Sequence, residues 1–145
     1  MLYSHFTGKD DIMRAVAIEG FGELAARLRR ARLAAPERPA ALHAVCRAYL
    51  EFATEQPPLP GQFVLPTDVK FAHTETPPPL RAAFDEFVSC FRPDNQRREL
   101  FAEVTWSALH GIAAPPESGR IPPNGQAEWL DFLVTQIAST PEPGI

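Results

Sequence analysis

Proline partitions this chain. Sixteen of its 145 residues are proline, and most stand in clusters at Pro57-Pro58, Pro77-Pro78-Pro79, Pro115-Pro116 and Pro122-Pro123. Each cluster removes backbone donors and clashes with the preceding turn, so a helix stops there and a central strand is excluded. Regular structure has to form between the clusters, and there the apolar residues recur at helical spacing.

The first such segment starts at Thr7-Gly8-Lys9-Asp10, where a hydroxyl precedes a carboxylate by three residues in a capping-box-like pattern; the cap alone is worth about 1 kcal/mol. From there Met13, Val16, Ala17, Gly20, Leu24 and Leu28 form one stripe that ends near Arg32. A second helix is predicted from Pro39 to Gln56, with Leu42, Val45, Cys46, Tyr49 and Ala53 on one side and Arg47, Glu51 and Glu55 turned away. Residues 57–79 break the pattern, and short helical turns or irregular chain are expected there; a lone strand at residues 62–65 would have no partner. Leu80, Phe84, Phe87, Val88 and Phe91 mark a third helix, interrupted at Pro93-Asp94. The fourth is apolar on two faces, Leu100, Phe101, Val104 and Ala108 on one and Trp106, Leu109 and Ala113 on the other, so it is expected to meet a second surface beyond the core. A last helix runs from Gly125 to Ser139 with Trp129, Leu130, Phe132, Leu133 and Ile137, followed by a frayed tail at residues 141–145. No internal repeat and no sustained alternation occur. The chain reads as all-α.

Composition narrows the function classes. With 45% hydrophobic and 22% charged residues the chain is ordinary for one globular domain. No apolar run reaches the roughly 18 to 20 residues that span a bilayer, and the N-terminus has no signal-peptide pattern, so a cytoplasmic protein without membrane partners is expected. Cys46 and Cys90 are too few for a disulfide scaffold and read as small core residues. His5, His43, His73 and His110 lack the spacing that sets two ligands on one helical face, and no C-x-x-C pattern or glycine-rich phosphate loop is present. Adjacent acids such as Asp85-Glu86 point in different directions on a helix and read as solvated surface. No catalytic residue, metal site or cofactor is predicted. Charge is unevenly spread: the first 32 residues carry six Lys/Arg and four acids, a balance of +2, and the rest carries −6. Such asymmetry marks a nucleic-acid-facing end only weakly, because four of those arginines sit where they complement a helix C-terminus.

The start of the chain poses a puzzle. Leu2, Tyr3 and Phe6 share a helical face that less than one turn precedes, and a single turn does not hold itself. The stretch "LYSHFTGKDDIMRAV" resembles the junction in TetR-like transcriptional regulators where the recognition helix of the helix-turn-helix ends and the long helix to the ligand-sensing domain begins, through Leu2-Tyr3, His5-Phe6, Lys9 and the apolar run Ile12 to Val16. "TWSALHGIAAPPESGRIP" resembles the Trp and His-Gly signature in the C-terminal domain of one branch of that family, at Trp106, His110 and Gly111. The resemblance implies three regions: residues 1–9 as a remnant of the recognition helix and junction, residues 10–140 as a helical ligand-sensing and dimerisation domain, and residues 141–145 as tail.

Several functional expectations follow from that resemblance. Tyr3, His5 and Lys9 offer donors and a cation to DNA phosphates beside a helix N-terminus, contacts that position a protein without reading bases. The same three residues also fit a solvated helix junction. Because the groove-reading helices precede the point where this sequence starts, specific operator binding is expected only with the missing N-terminal module present. The resemblance implies a pocket for a small molecule in the helical domain, and the aromatic richness suggests an apolar or aromatic ligand. Candidate lining residues are Tyr49, Phe52, Phe84, Phe87, Val88, Phe91, Trp106 and His110; the aromatic ones equally fit a filled core, and His110 equally fits a buried hydrogen bond. A homodimer through the last two helices is implied, with ligand binding tilting the first long helix. The alternative is a free-standing helical small-molecule-binding or protein-interaction domain without DNA control.

Overall fold

A computed structural model of the chain describes residues 9–55, 78–113 and 125–139, with residues 9–19 as helical backbone only. Five α-helices follow one another: α1 (Lys9–Ala34), α2 (Arg38–Glu55), α3 (Pro78–Val88), α4 (Arg98–Ile112) and α5 (Gln126–Ala138). Among the described residues there is no strand, and the fold is all-α as the spacing predicts. The predicted cap at Thr7, residues 62–65 and the tail lie outside the described residues.

Local chemistry sets most boundaries. Pro36 and Pro39 flank the bend between α1 and α2, where Ala35 N–H donates to Arg32 O across a tight turn. Pro78 and Pro79 open α3, in the first turn, where a missing N–H costs nothing. The third helix is shorter than its apolar spacing predicts: α3 ends at Val88, and Cys90 N–H to Phe87 O and Phe91 N–H to Val88 O continue it as a tighter turn. Asn95 then closes the connection, its Oδ1 accepting from Arg97 N–H at 2.9 Å. Its Nδ2 is buried with no acceptor.

Packing follows from which face each helix can bury. α1 lies against α2 and α3, α3 against α4, and α5 against α2 and α4. Phe21, Leu24 and Leu28 of α1 enter one core with Leu42, Val45, Cys46 and Tyr49 of α2, joined by Leu50 and Phe52, which the predicted stripe omitted. Phe84 and Phe87 of α3 and Trp106 and Leu109 of α4 complete it. Two ion pairs clasp α1 from different sides. Arg27 pairs with the Glu55 carboxylate and stacks over the Phe52 ring at 5.5 Å, and Arg32 Nε reaches Glu86 Oε2 at 2.8 Å. The Glu55 carboxylate is held below its ordinary pKa, and the Arg27 guanidinium above its own, mainly by their mutual hydrogen bond.

Burial separates side chains that composition treats alike. Leu28 is fully buried, whereas Leu33, little more than a turn further along α1, is 63% exposed. Leu28→Ala is expected to lower unfolding stability by about 2–5 kcal/mol through lost transfer energy and a residual cavity. Leu33→Ala should stay within about 0.5 kcal/mol of wild type. Urea titrations of the two variants check both values.

Candidate functional site

The candidate site is an aromatic cluster built from four helices. Trp106, 2% exposed on α4, has its ring centre 6.1 Å from Phe21 of α1, 5.7 Å from Tyr49 of α2 and 5.2 Å from Phe87 of α3, all tilted or edge-on. Tyr49 and Phe87 also meet each other at 6.2 Å. Tilted arrangements bring ring edges to ring faces, and each such pair adds about 0.5–1.5 kcal/mol beyond its buried area. Burial pushes the Tyr49 hydroxyl well above its ordinary pKa.

The structure divides the remaining predicted lining residues. Phe52 and Phe84 are fully buried, and each carries a guanidinium over its outer face, Arg27 on the first and Arg81 on the second at 5.6 Å. Phe91 stands apart from the Trp106 group and packs edge-on against Phe101 at 5.5 Å and 87°. Val88 is half-buried against the core. His110 sits in the last turn of α4, half-buried, and desolvation lowers its pKa so that the neutral imidazole is favoured. Of the proposed DNA-facing residues, Tyr3 and His5 lie outside the described residues, and Lys9 begins α1.

Phe21 belongs to the cluster although sequence spacing passed it over. It is one residue off the Gly20–Leu24–Leu28 stripe, and its flanking Gly20 and Gly22 weaken any periodic signal. A second feature was also missed. An open groove of about 380 Å³ runs between α2 and α5, floored by Leu50 and Leu130 and bordered by Arg47, Glu51 and a His43 Nε2 to Asp131 Oδ1 contact of 2.8 Å. Its two walls are 88 residues apart in sequence, so no local pattern announces it.

Neither cysteine is poised for chemistry. Cys46 and Cys90 are free and buried, and desolvation pushes the Cys90 thiol up to about 12 and the Cys46 thiol higher still, so neither forms a thiolate at neutral pH. Among the described residues no three His, Cys, Asp or Glu side chains converge to hold a metal ion, and no described helix is long and apolar enough to cross a membrane.

A long helix clasped onto a bundle with an aromatic interior defines an all-α helical domain. The chain belongs to the tetracyclin repressor-like, C-terminal domain family, whose sequence profile matches residues 42–137. A solved structure described as a protein with unknown function from Rhodococcus sp. RHA1 is similar in fold, with a TM-score of 0.67 and 22% identity over 91% of this chain and 74% of that one. No curated protein matches the chain.

The lowered pKa of His110 gives a pH test. An unfolded histidine titrates near 6.5. Because the folded value is lower, the stability tied to neutral His110 is complete above about pH 6.5 and is lost as pH falls from there through the folded value. Urea midpoints should therefore fall on acidification, and His110→Gln should reduce that fall. An unchanged pH profile in the variant would separate His110 from the effect.

Proposed function

We propose that this chain is the ligand-sensing and dimerisation part of a TetR-like transcriptional regulator. Membership of the family supports the regulatory class. The observation that carries the dimer is the outer surface of the last two helices. α4 buries Ala102, Thr105, Trp106 and Leu109 and leaves Leu100 and Val104 exposed. On the adjoining α5, Leu130 and Val134 point inward, while Trp129 and Phe132 stand 48% and 67% exposed. Large apolar side chains grouped on packed neighbouring helices mark an interaction surface more often than chance exposure does. A second copy of the same surface is the occupant that a twofold contact would supply.

In this reading the aromatic cluster around Trp106 is the sensing centre, and its ligand is a small apolar or aromatic molecule. Tyr49, Phe52, Phe84, Phe87, Val88, Phe91, Trp106 and His110 are the proposed pocket residues, and α1 carries the response outward. Tyr3, His5 and Lys9 contact the DNA backbone in a regulator with a complete helix-turn-helix. The protein acts in the cytoplasm and needs no cofactor.

Sedimentation velocity tests the proposal. The chain is expected to sediment as a dimer at micromolar concentration. Phe132→Glu combined with Val104→Glu should weaken association by about 100-fold or more, because a charge placed in an apolar interface centre removes hot-spot contacts. Circular dichroism should remain helical, since both side chains face solvent within the protomer. A monomeric wild type would contradict the proposal.

A further inference from the structure

The groove between α2 and α5 lies outside the aromatic interior, and its charges are only partly matched. Leu50 and Leu130 give it an apolar floor. Of the ionisable side chains along its rim, His43 and Asp131 meet each other at 2.8 Å, and Glu55 is held by Arg27 of α1. Arg47 and Glu51 are left over. Both are exposed on α2, and neither makes an ion pair with a described residue. Side chains four residues apart on a helix are neighbours, but a cation that precedes an acid is the poorer order for pairing along the helix. The groove therefore presents one positive and one negative group side by side, next to carbon.

We propose that this groove is a second binding site whose ligand is the zwitterion of a small apolar amino acid, with its carboxylate on Arg47, its ammonium on Glu51 and its side chain against Leu50 and Leu130. A simple anion would be repelled by Glu51, and a simple amine by Arg47. A molecule that carries both charges on one carbon satisfies the two groups together. The volume of about 380 Å³ stands at the small end of ligand clefts, which span about 300–1,000 Å³, and suits a molecule of this size. The site goes beyond the sensing role proposed for the Trp106 cluster and does not rest on it. Helical periodicity puts Ala127 and Asp131 on one flank of α5 and Trp129 and Phe132 on the other, so the groove and the proposed dimer surface do not overlap.

Amide chemical shifts of the whole chain, followed by NMR during titration, test the site. The probes are L-leucine, isocaproate, which lacks the ammonium, isoamylamine, which lacks the carboxylate, and glycine, which lacks the side chain. L-Leucine should shift the amides of residues 47–51 and 127–131 saturably, with a dissociation constant in about the millimolar range. The other probes should bind about five-fold more weakly or worse. Arg47→Gln and Glu51→Gln should each weaken L-leucine by about five-fold, with helical content unchanged because both side chains are exposed. A reciprocal gain separates recognition from damage: isocaproate should bind Glu51→Gln more tightly than wild type, and isoamylamine should do the same with Arg47→Gln. Groove amides that stay unmoved by L-leucine, or isocaproate binding wild type as tightly as L-leucine does, overturn the proposal. Shifts centred on Phe21, Phe87 and Trp106 in place of the groove would overturn it too, while supporting the sensing cluster.

Discussion

Four helices of this protein meet at one indole. Trp106 brings α4 into ring contact with α1, α2 and α3 at once, and the orientation of α4 follows from that constraint. With Trp106 and Leu109 turned inward, helical periodicity carries Ala102, Thr105 and Ile112 to the same side. The same rotation turns Leu100 and Val104 outward. Core packing and outer apolar surface are thus two consequences of one placement, and α5, packed on α2 and α4 with Leu130 and Val134 buried, adds to both.

The ion pairs have a different task from the rings. Arg27 with Glu55 joins α1 to α2 at an exposed position, where solvent screens the pair, and Arg32 with Glu86 joins α1 to α3 at a more buried one. Apolar burial supplies most of the cohesion, and the charges fix register by fastening the C-terminal half of α1 at two points. A 2.8 Å contact of His43 Nε2 with Asp131 Oδ1 links α2 to α5.

Much of this architecture was legible in the sequence because prolines and helical periodicity act locally. Pro36, Pro39 and Pro78-Pro79 mark helix ends within a residue or two, and the stripe Leu42, Val45, Cys46 and Tyr49 is buried as its spacing predicts. The two-faced pattern of α4 was readable in part: Leu100 and Val104 are exposed, but Phe101, expected on the same face, packs against the core beside Phe91. Errors arose where tertiary packing decides. The spacing of Phe91 extends α3 by a turn that Pro93 and the tight bend after Val88 take away. Trp129 and Phe132 look like core residues on composition, yet α5 packs on the bundle through Leu130, Leu133, Val134 and Ile137 and leaves those two rings exposed. Phe21 was hidden between two glycines, and the groove between α2 and α5 exists only once distant segments are assembled. Whether the aromatic residues enclose a ligand was left open by spacing, because pocket and filled core use the same side chains.

The burial of Trp106 among rings from three other helices is the claim on which the core and the exposed face of α4 depend. The chain has two tryptophans, so Trp129→Phe leaves Trp106 as the only indole. Acrylamide quenching of that variant's fluorescence reads the environment directly. The account predicts blue-shifted native emission that resists quenching and becomes accessible only on unfolding in urea. Native emission as red and as readily quenched as that of the unfolded chain would contradict it.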